Sequence, residues 1–434
     1  ASARWRVSGE PFMQDFDFVD DFSFRASYGQ SGRAPRYDYR YFNIYGNFNS
    51  EYLGMSGVYP QNIELENLRW ETLTGQNIGL NLQLFDRRIM LDVDVYKNRT
   101  EDLLFQNVDL TTVSGYNNLS DQNVGTLDNQ GWEVGLYTTP VKTDKWKVDF
   151  NFNIARNQNI IREISEFYPN ERGNVDRNGE FKRFLQTDNP FGSFYGYRFK
   201  GVYPDLESTQ ARDANGNVIT GPNGQTVYMR FKQPNTDYVF QPGDAIYEDI
   251  NKDGNIDSRD VVYLGNSNPK FTGGFGPSVT FNDQFKLLLF FTYRLDYDIV
   301  NGTDMLTTNM YTYDNQSTAV LSRWRNPGDQ TDMPRAIYGA GYNWLGSDRY
   351  VEDASFVRFR SATFSYNFTK PFLKKWKLDD LRVYVTADNL LTFTNYRGQD
   401  PEVNMRGGDP FGMAIDYSRT PPTRRFTLGI QTRF

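Results

Sequence analysis

Neither cysteine nor histidine occurs among the 434 residues. The first absence removes disulfides, thiolate nucleophiles and Cys-based zinc sites. The second removes Ser-His and Cys-His catalytic pairs, imidazole-ligated metals and histidine pH switching. Carboxylates, Lys, Tyr and hydroxyls are what remains for chemistry. Positive charge is short as well: 54 Asp and Glu against 47 Lys and Arg give a formal net charge of -7, which argues against a face that tracks nucleic-acid phosphates. No apolar run approaches the roughly 20 positions of a membrane helix; the longest, LLLFFTY at 287–293, is bounded by Lys286 and Arg294. There is no secretory signal, and the chain opens on ASARWRVSGE without Met, so the expectation is a processed chain or a piece of a longer one. Asp and Glu are plentiful, but no spacing sets a catalytic acid against a partner as a glycosidase requires, and an enzyme is not expected.

Aromatic residues, by contrast, make up 16% of the chain in a sequence only 38% hydrophobic. They fall into a period of two. Ile78, Leu80, Leu82 and Leu84 alternate with polar or small residues, as do Leu91, Val93 and Val95, then Val148, Phe150, Phe152 and Ile154. The same alternation returns at 22–28, 132–136, 271–281, 287–293, 381–387 and 426–430, and helix-period segments are almost lacking. Such strands have one greasy face. That face meets either a second sheet, in a soluble sandwich, or lipid, in a transmembrane barrel. Connection lengths favour the barrel. FDRR (85–88), TPVKTDK (139–145) and NDQ (282–284) are short, while 30–69, 99–125, 157–270, 298–351 and 395–423 are long and polar, the asymmetry of periplasmic turns and extracellular loops. The final alternating strand, RRFTLGIQTRF, ends on Phe434, an end that resembles the assembly signal of bacterial outer-membrane barrels. Counting back from a periplasmic C-terminus puts the residues just before 271 outside the cell.

One of those residues' neighbourhoods carries a metal-ligand pattern. In YEDINKDGNIDSRDVVYLG, Asp249, Asn251, Asp253, Asn255, Asp257 and Asp260 stand at positions 1, 3, 5, 7, 9 and 12 of a twelve-residue loop, with Gly254 at 6 and Ile256 at 8. This is the spacing with which hard oxygen ligands surround calcium, position 7 ligating through its carbonyl and Gly making the turn. Asp at the last position resembles dockerin-type loops. The bland alternative is a solvated Asp/Asn/Gly turn. The expected role of the ion is to stiffen a loop.

Six segments resemble a known family, the SusC-type TonB-dependent outer-membrane transporters of Bacteroidetes: LRWETLTGQNIGLNLQLF (68–85), NVGTLDNQGWEVGL (123–136), GDAIYEDINKDGNIDSRDVVYLGNSNPKFTGGF (243–275), RWRNPGDQTDMPR (323–335), SFVRFRSATFSYNF (355–368) and VYVTADNLLTFTNYRGQDPEV (383–403). The resemblance implies an all-β antiparallel transmembrane barrel of about 22 strands, embedded in outer-membrane lipid. It also implies active import of an oligosaccharide or peptide, with TonB supplying the drive and a SusD-like surface lipoprotein as lid, and it admits a homodimer of transporter–lipoprotein pairs. On this reading residues 1–434 are the C-terminal part of one barrel domain, about eleven strands with two more around FYGYRFKGVY (194–203). The plug domain and N-terminal extension are absent from the sequence. The first and last strands run the same way and should not pair. Two other readings share the strands: a calcium-stabilised carbohydrate-binding or adhesion module, and a passive porin. Loop aromatics Trp324, Tyr338, Tyr342 and Trp344 are candidate substrate contacts or interface residues.

Overall fold

The computed structural model describes the chain except residues 37, 40, 110–112, 114, 115, 117, 166–170, 173, 174, 403–413 and 434, and the side chains of 48–52, 106–109, 118–120, 171 and 172. Phe434, the terminal aromatic singled out above, lies outside the described residues. Eleven antiparallel strands form one sheet in simple chain order. They are β1 (Ser2–Arg6), β2 (Val19–Arg33), β3 (Glu71–Leu84), β4 (Ile89–Glu101), β5 (Gly125–Lys142), β6 (Trp146–Ile164), β7 (Phe271–Phe281), β8 (Phe285–Leu295), β9 (Phe356–Asn367), β10 (Asp380–Thr394) and β11 (Arg425–Arg433). An odd number of alternating strands leaves the first and last pointing the same way. Among the described residues β1 and β11 do not pair with each other, as expected. The segment around 194–203 does not add barrel strands: Ser193–Gly196 and Phe199–Val202 pair instead with Val262–Asn266 and Ala245–Tyr247, outside the large sheet.

Register turns the period-two sequence into two faces. Phe22, Leu82, Leu91, Leu136, Phe152, Phe275, Phe291, Phe359 and Leu391 stand side by side on successive strands β2 to β10. A second row runs Val148, Val279, Leu287, Phe364, Val385 and Leu428. Rings of Phe275, Phe291 and Phe359 stack with centroids 4.6 and 4.5 Å apart. On β11 the side chains of Phe426, Leu428 and Ile430 are 72, 71 and 69% exposed. A soluble sandwich would bury these rows against a second sheet; here they face outward, as a lipid-facing band does. The opposite face is polar: Ser23, Asn81, Asp92, Gly135, Asn153 and Gly274 share one row.

A bulge at Arg360 changes which residues of β9 face which way, because the register steps from Phe290/Ser361 to Phe291/Phe359. Arg358 and Arg360 therefore share the polar face with Ser361, Thr363 and Ser365, while Phe359 and Phe364 both stay on the apolar one.

The two ends of the sheet differ as the sequence indicates. At one end the connections 85–88, 143–145, 282–284 and 368–379 are short. The NDQ hairpin is tight because Asn282 and Asp283 both take left-handed φ, 51° and 57°, a region these two residue types tolerate. A continuous chain of rings collects at this end: Trp146, Phe281, Phe285, Tyr366, Phe368, Phe372 and Trp376, each within 6.4 Å of the next. This is the aromatic girdle expected at a membrane interface. At the other end residues 175–270 and 296–355 interlock over a shared core of Tyr197, Phe231, Phe240, Tyr247, Ile256 and Leu345. Burying each such side chain contributes roughly 1.5–3 kcal/mol relative to exposure.

Leu80 lies midway along β3 on the apolar face, whereas Asn151 lies on the polar face of β6. Leu80→Arg should destabilise the membrane-embedded protein by about 2–4 kcal/mol, and Asn151→Arg should leave it nearly unchanged, as read from urea midpoints in lipid vesicles. Equal effects would mean that the two faces had been exchanged.

Candidate functional site

Two regions carry the chemistry: the polar face of the sheet and the body at its long-loop end. On the polar face, Arg25 of β2 reaches across β3 to pair with Asp94 of β4 and donates to Asn81 at 3.1 Å; Asn81 in turn donates to Asp92. Gly79 makes the crossing possible, since a Cβ there would stand 2.2 Å from Arg25 Nε. Toward the long-loop end a pocket of about 730 Å³ is lined by Ser27, Asn77, Tyr96, Asn98, Asn129 and Glu133, among others. Amides, hydroxyls and one carboxylate suit it to water or a polar solute.

Near that end the loop after β10 bends back over the polar face. Arg358 pairs with Asp400 and, at 2.9 Å, with Glu402, and its Nε donates to Thr392 Oγ1 at 3.0 Å. Arg360 donates to both Glu402 oxygens at 2.6 Å and to Thr292 at 3.2 Å. Arg294 of β8 approaches Glu402 at 3.5 Å. The Tyr297 hydroxyl donates to the carbonyl of Pro401 at 2.8 Å, fixing the same turn. The sequence reading missed this constellation; the alternating arginines in VRFRS and the two carboxylates of QDPEV were its only signal, and their meeting depends on where the loop travels.

The acidic loop is folded as a compact unit. Asp249 accepts from the amides of Gly254 at 2.8 Å and Asp253 at 3.3 Å, and Asp260 accepts from the amides of Ile250 and Asp257 at 2.8 and 2.9 Å. Asn251 Oδ1 accepts from the Asp253 amide at 3.2 Å, and Asp253 Oδ1 from the amide of Asn255 at 2.9 Å. Asn255 and Ile256 then pair in parallel with Arg230 and Phe231, which carries Ile256 into the core. All six predicted ligand residues thus lie within one turn, held by one another's backbone. Their oxygens, however, are directed at amides and at Arg259, which donates to Asp257 at 2.6 Å and Asp253 at 2.5 Å. Among the described residues no three carboxylates converge closely enough to hold a metal ion.

Charge in the loop is nevertheless unevenly compensated. Burial, with Asp249 and Asp257 adding repulsion, pushes the Asp260 carboxyl above its usual range. Burial also raises Asp257, but hydrogen bonds and charge from Arg259 outweigh it and hold that group low. Asp249 and Asp260 are both buried, and Arg259 touches neither of them in this arrangement. The residue types are hard oxygen donors of the kind calcium takes, but as the loop is folded their carboxylates do not converge on one point among the described residues.

The loop aromatics have separate fates. Trp324 donates its indole N–H to the Pro204 carbonyl at 3.2 Å, Tyr342 packs on Phe231 with centroids 4.4 Å apart, and Trp344 packs against the body's second core cluster. Tyr338 alone of the four is exposed, stacked on Tyr313 at 4.2 Å.

Comparison with known proteins agrees with this architecture. Residues 1–180 match the family model described as TonB dependent receptor-like, beta-barrel. The chain is 30% identical to TonB-dependent receptor P3 of Formosa agariphila, aligned over 99% of this chain and 41% of that protein. It is 26% identical to TonB-dependent receptor SusC of Bacteroides thetaiotaomicron, over 99% and 39% respectively. Among solved structures, the RagAB peptide transporter superposes with a TM-score of 0.75 at 21% identity, covering all of this chain and 43% of that one. The chain spans about two fifths of the length of the curated relatives it matches.

Gly254 sits at φ +83°, and a Cβ there would stand 2.8 Å from the Ala211 side chain. Gly254→Ala should cost about 1–3 kcal/mol of local stability and expose 205–260 to limited proteolysis while the barrel strands stay protected. An unchanged cleavage pattern would show that the turn tolerates a side chain.

Proposed function

We propose, from the likeness of the whole chain to the barrel part of SusC-type TonB-dependent receptors, that it forms part of an outer-membrane transporter that actively imports a nutrient. The observation that carries this reading is the pairing of an outward apolar band with an inward polar face, under a folded body at the end with the long loops. In the proposed orientation that body is extracellular and the aromatic girdle marks the periplasmic side. The polar face lines the lumen, where amides and hydroxyls exchange hydrogen bonds with a passing polar solute. TonB would act through a part of the transporter outside this chain, which also supplies the strands that close the barrel. A surface lipoprotein of the SusD type would cover the loop body as a lid. The RagAB transporter is named for peptides, and the family resemblance of the sequence admits an oligosaccharide as well, so oligopeptide and oligosaccharide are the two substrate classes in view.

Calcium belongs to the proposal as a structural ion. Asp249, Asn251, Asp253, Asp257 and Asp260 would supply side-chain oxygens and Asn255 its carbonyl, and the bound cation would neutralise the repulsion among the buried carboxylates. Through Ile256 the stiffened loop would stabilise the core shared by 175–270 and 296–355.

Two measurements test these readings. Cells expressing the intact transporter should accumulate at least one component of a labelled oligosaccharide or peptide mixture, and lose that uptake both on deletion of the gene and on collapse of the proton gradient by an uncoupler; uptake that survives the uncoupler would instead mark a porin. Terbium luminescence of the purified protein should titrate to saturation with calcium as competitor, and Asp249→Asn combined with Asp253→Asn should weaken calcium binding at least tenfold, about 1.4 kcal/mol. A double variant that binds terbium and calcium as the parent does would remove the ion from the account.

A further inference from the structure

On the polar face just inside the long-loop end, three guanidiniums converge on two carboxylates. Arg294 comes from β8, Arg358 and Arg360 from β9, and both Asp400 and Glu402 from the loop after β10. The members differ in access. Arg358 and Asp400 are 2 and 3% exposed and satisfy each other. Glu402 is 21% exposed and is shared by all three arginines, of which Arg360 and Arg294 remain 29 and 42% exposed. At 3.5 Å from Glu402, Arg294 is the most loosely held. The cluster therefore carries one positive charge more than its carboxylates cancel, and the excess sits on its solvent-facing side.

Several features set this cluster apart from a chance salt bridge. Ordinary period-two alternation puts Arg360 on the same face as Arg358, and the bulge that follows keeps Ser361, Thr363 and Ser365 on that face beside them. Thr292 and Thr392 orient the two forks by accepting from their Nε atoms, which leaves one terminal nitrogen of each aimed at Glu402 while the other terminal nitrogen of Arg358 holds Asp400. Planar guanidinium forks match carboxylate geometry better than any other cationic side chain. The occupant of that geometry is a residue of the same chain, delivered by a loop turn that Tyr297 fastens through Pro401.

We propose that Arg294 and Arg360 read a carboxylate on the transported solute, and that Glu402 occupies this site as an internal stand-in until the solute's carboxylate displaces it. Arg358 and Asp400 form the fixed floor of the site. Exchange of one carboxylate for another leaves the charge balance at the arginines unchanged, so the loop can release without exposing an unpaired guanidinium cluster. This inference rests on the import reading, and it narrows the solute class to one that carries an acidic group.

The test uses the intact transporter in detergent, with acetylated, amidated tetraglutamate as probe and tetraglutamine as its neutral counterpart, measured by calorimetry at low salt. Tetraglutamate should bind more tightly than tetraglutamine, and Glu402→Gln should tighten tetraglutamate binding about tenfold by vacating the arginines. Arg294→Gln and Arg360→Gln added to that variant should return it to the tetraglutamine level, while Arg87→Gln at a short turn should change nothing. Arg294→Gln alone, the substitution that disturbs the fewest contacts, should weaken the probe severalfold in the parent protein and guards against loss of fold in the multiple variants. Equal affinity in the parent and Glu402→Gln, or no effect of Arg294→Gln, would overturn the site. Uptake is scored separately. Proton-driven import with no carboxylate preference sinks this inference alone, and carboxylate binding without energised uptake sinks the import reading while leaving the site.

Discussion

Hydrocarbon offers no partner to a backbone N–H or C=O, and this single constraint organises the molecule. A strand in lipid must find its hydrogen bonds in neighbouring strands, so the sheet runs in unbroken antiparallel order from β1 to β11. The ladder in turn forces side chains to alternate between faces. One face must then be as apolar as lipid and the other is free to be polar, which is why a chain of modest hydrophobic content still presents a continuous greasy band. The polar side can afford Arg25, Asp94 and Asn81 in one network because water and neighbouring side chains replace what lipid would withhold.

Much of this was legible in the residues themselves. Period-two alternation fixes strands without reference to distant contacts, and the contrast of short with long connections orders them; the observed breaks at 85–88 and 282–284 fall as expected, while the expected connection 139–145 shrinks to 143–145 because the strand continues to Lys142. The stretch from Asp249 to Asp260, whose spacing suggested a calcium cradle, folds as a local turn with hydrogen bonds between residues at most ten apart, and the ion itself belongs to the proposal.

What the residues hid is non-local. Short strands around 194–203 have the composition of barrel strands, yet their partners lie in 245–247 and 262–266, a pairing decided by the core of the loop body. Tyr342 and Trp344 look like exposed loop aromatics until a second loop folds over them. The arginine cluster is the extreme case: Arg358 and Glu402 are 44 positions apart, and nothing local to either announces the other. Arg259 illustrates the same limit within the acidic loop, because a cation two residues from Asp257 reads as neutral spacing and yet engages two of the carboxylates.

The bulge in β9 ties two unrelated demands to one extra residue. Above it the strand presents its guanidiniums inward; below it the phase of the pleat is reset, so that Phe364 and Tyr366 still meet the membrane beside Phe285 and Leu287. Losing that single position would rotate one half of the strand against the other, sending hydroxyls outward or rings inward. The apolar band and the polar face of this strand are thus coupled, and a change in its length shifts both together.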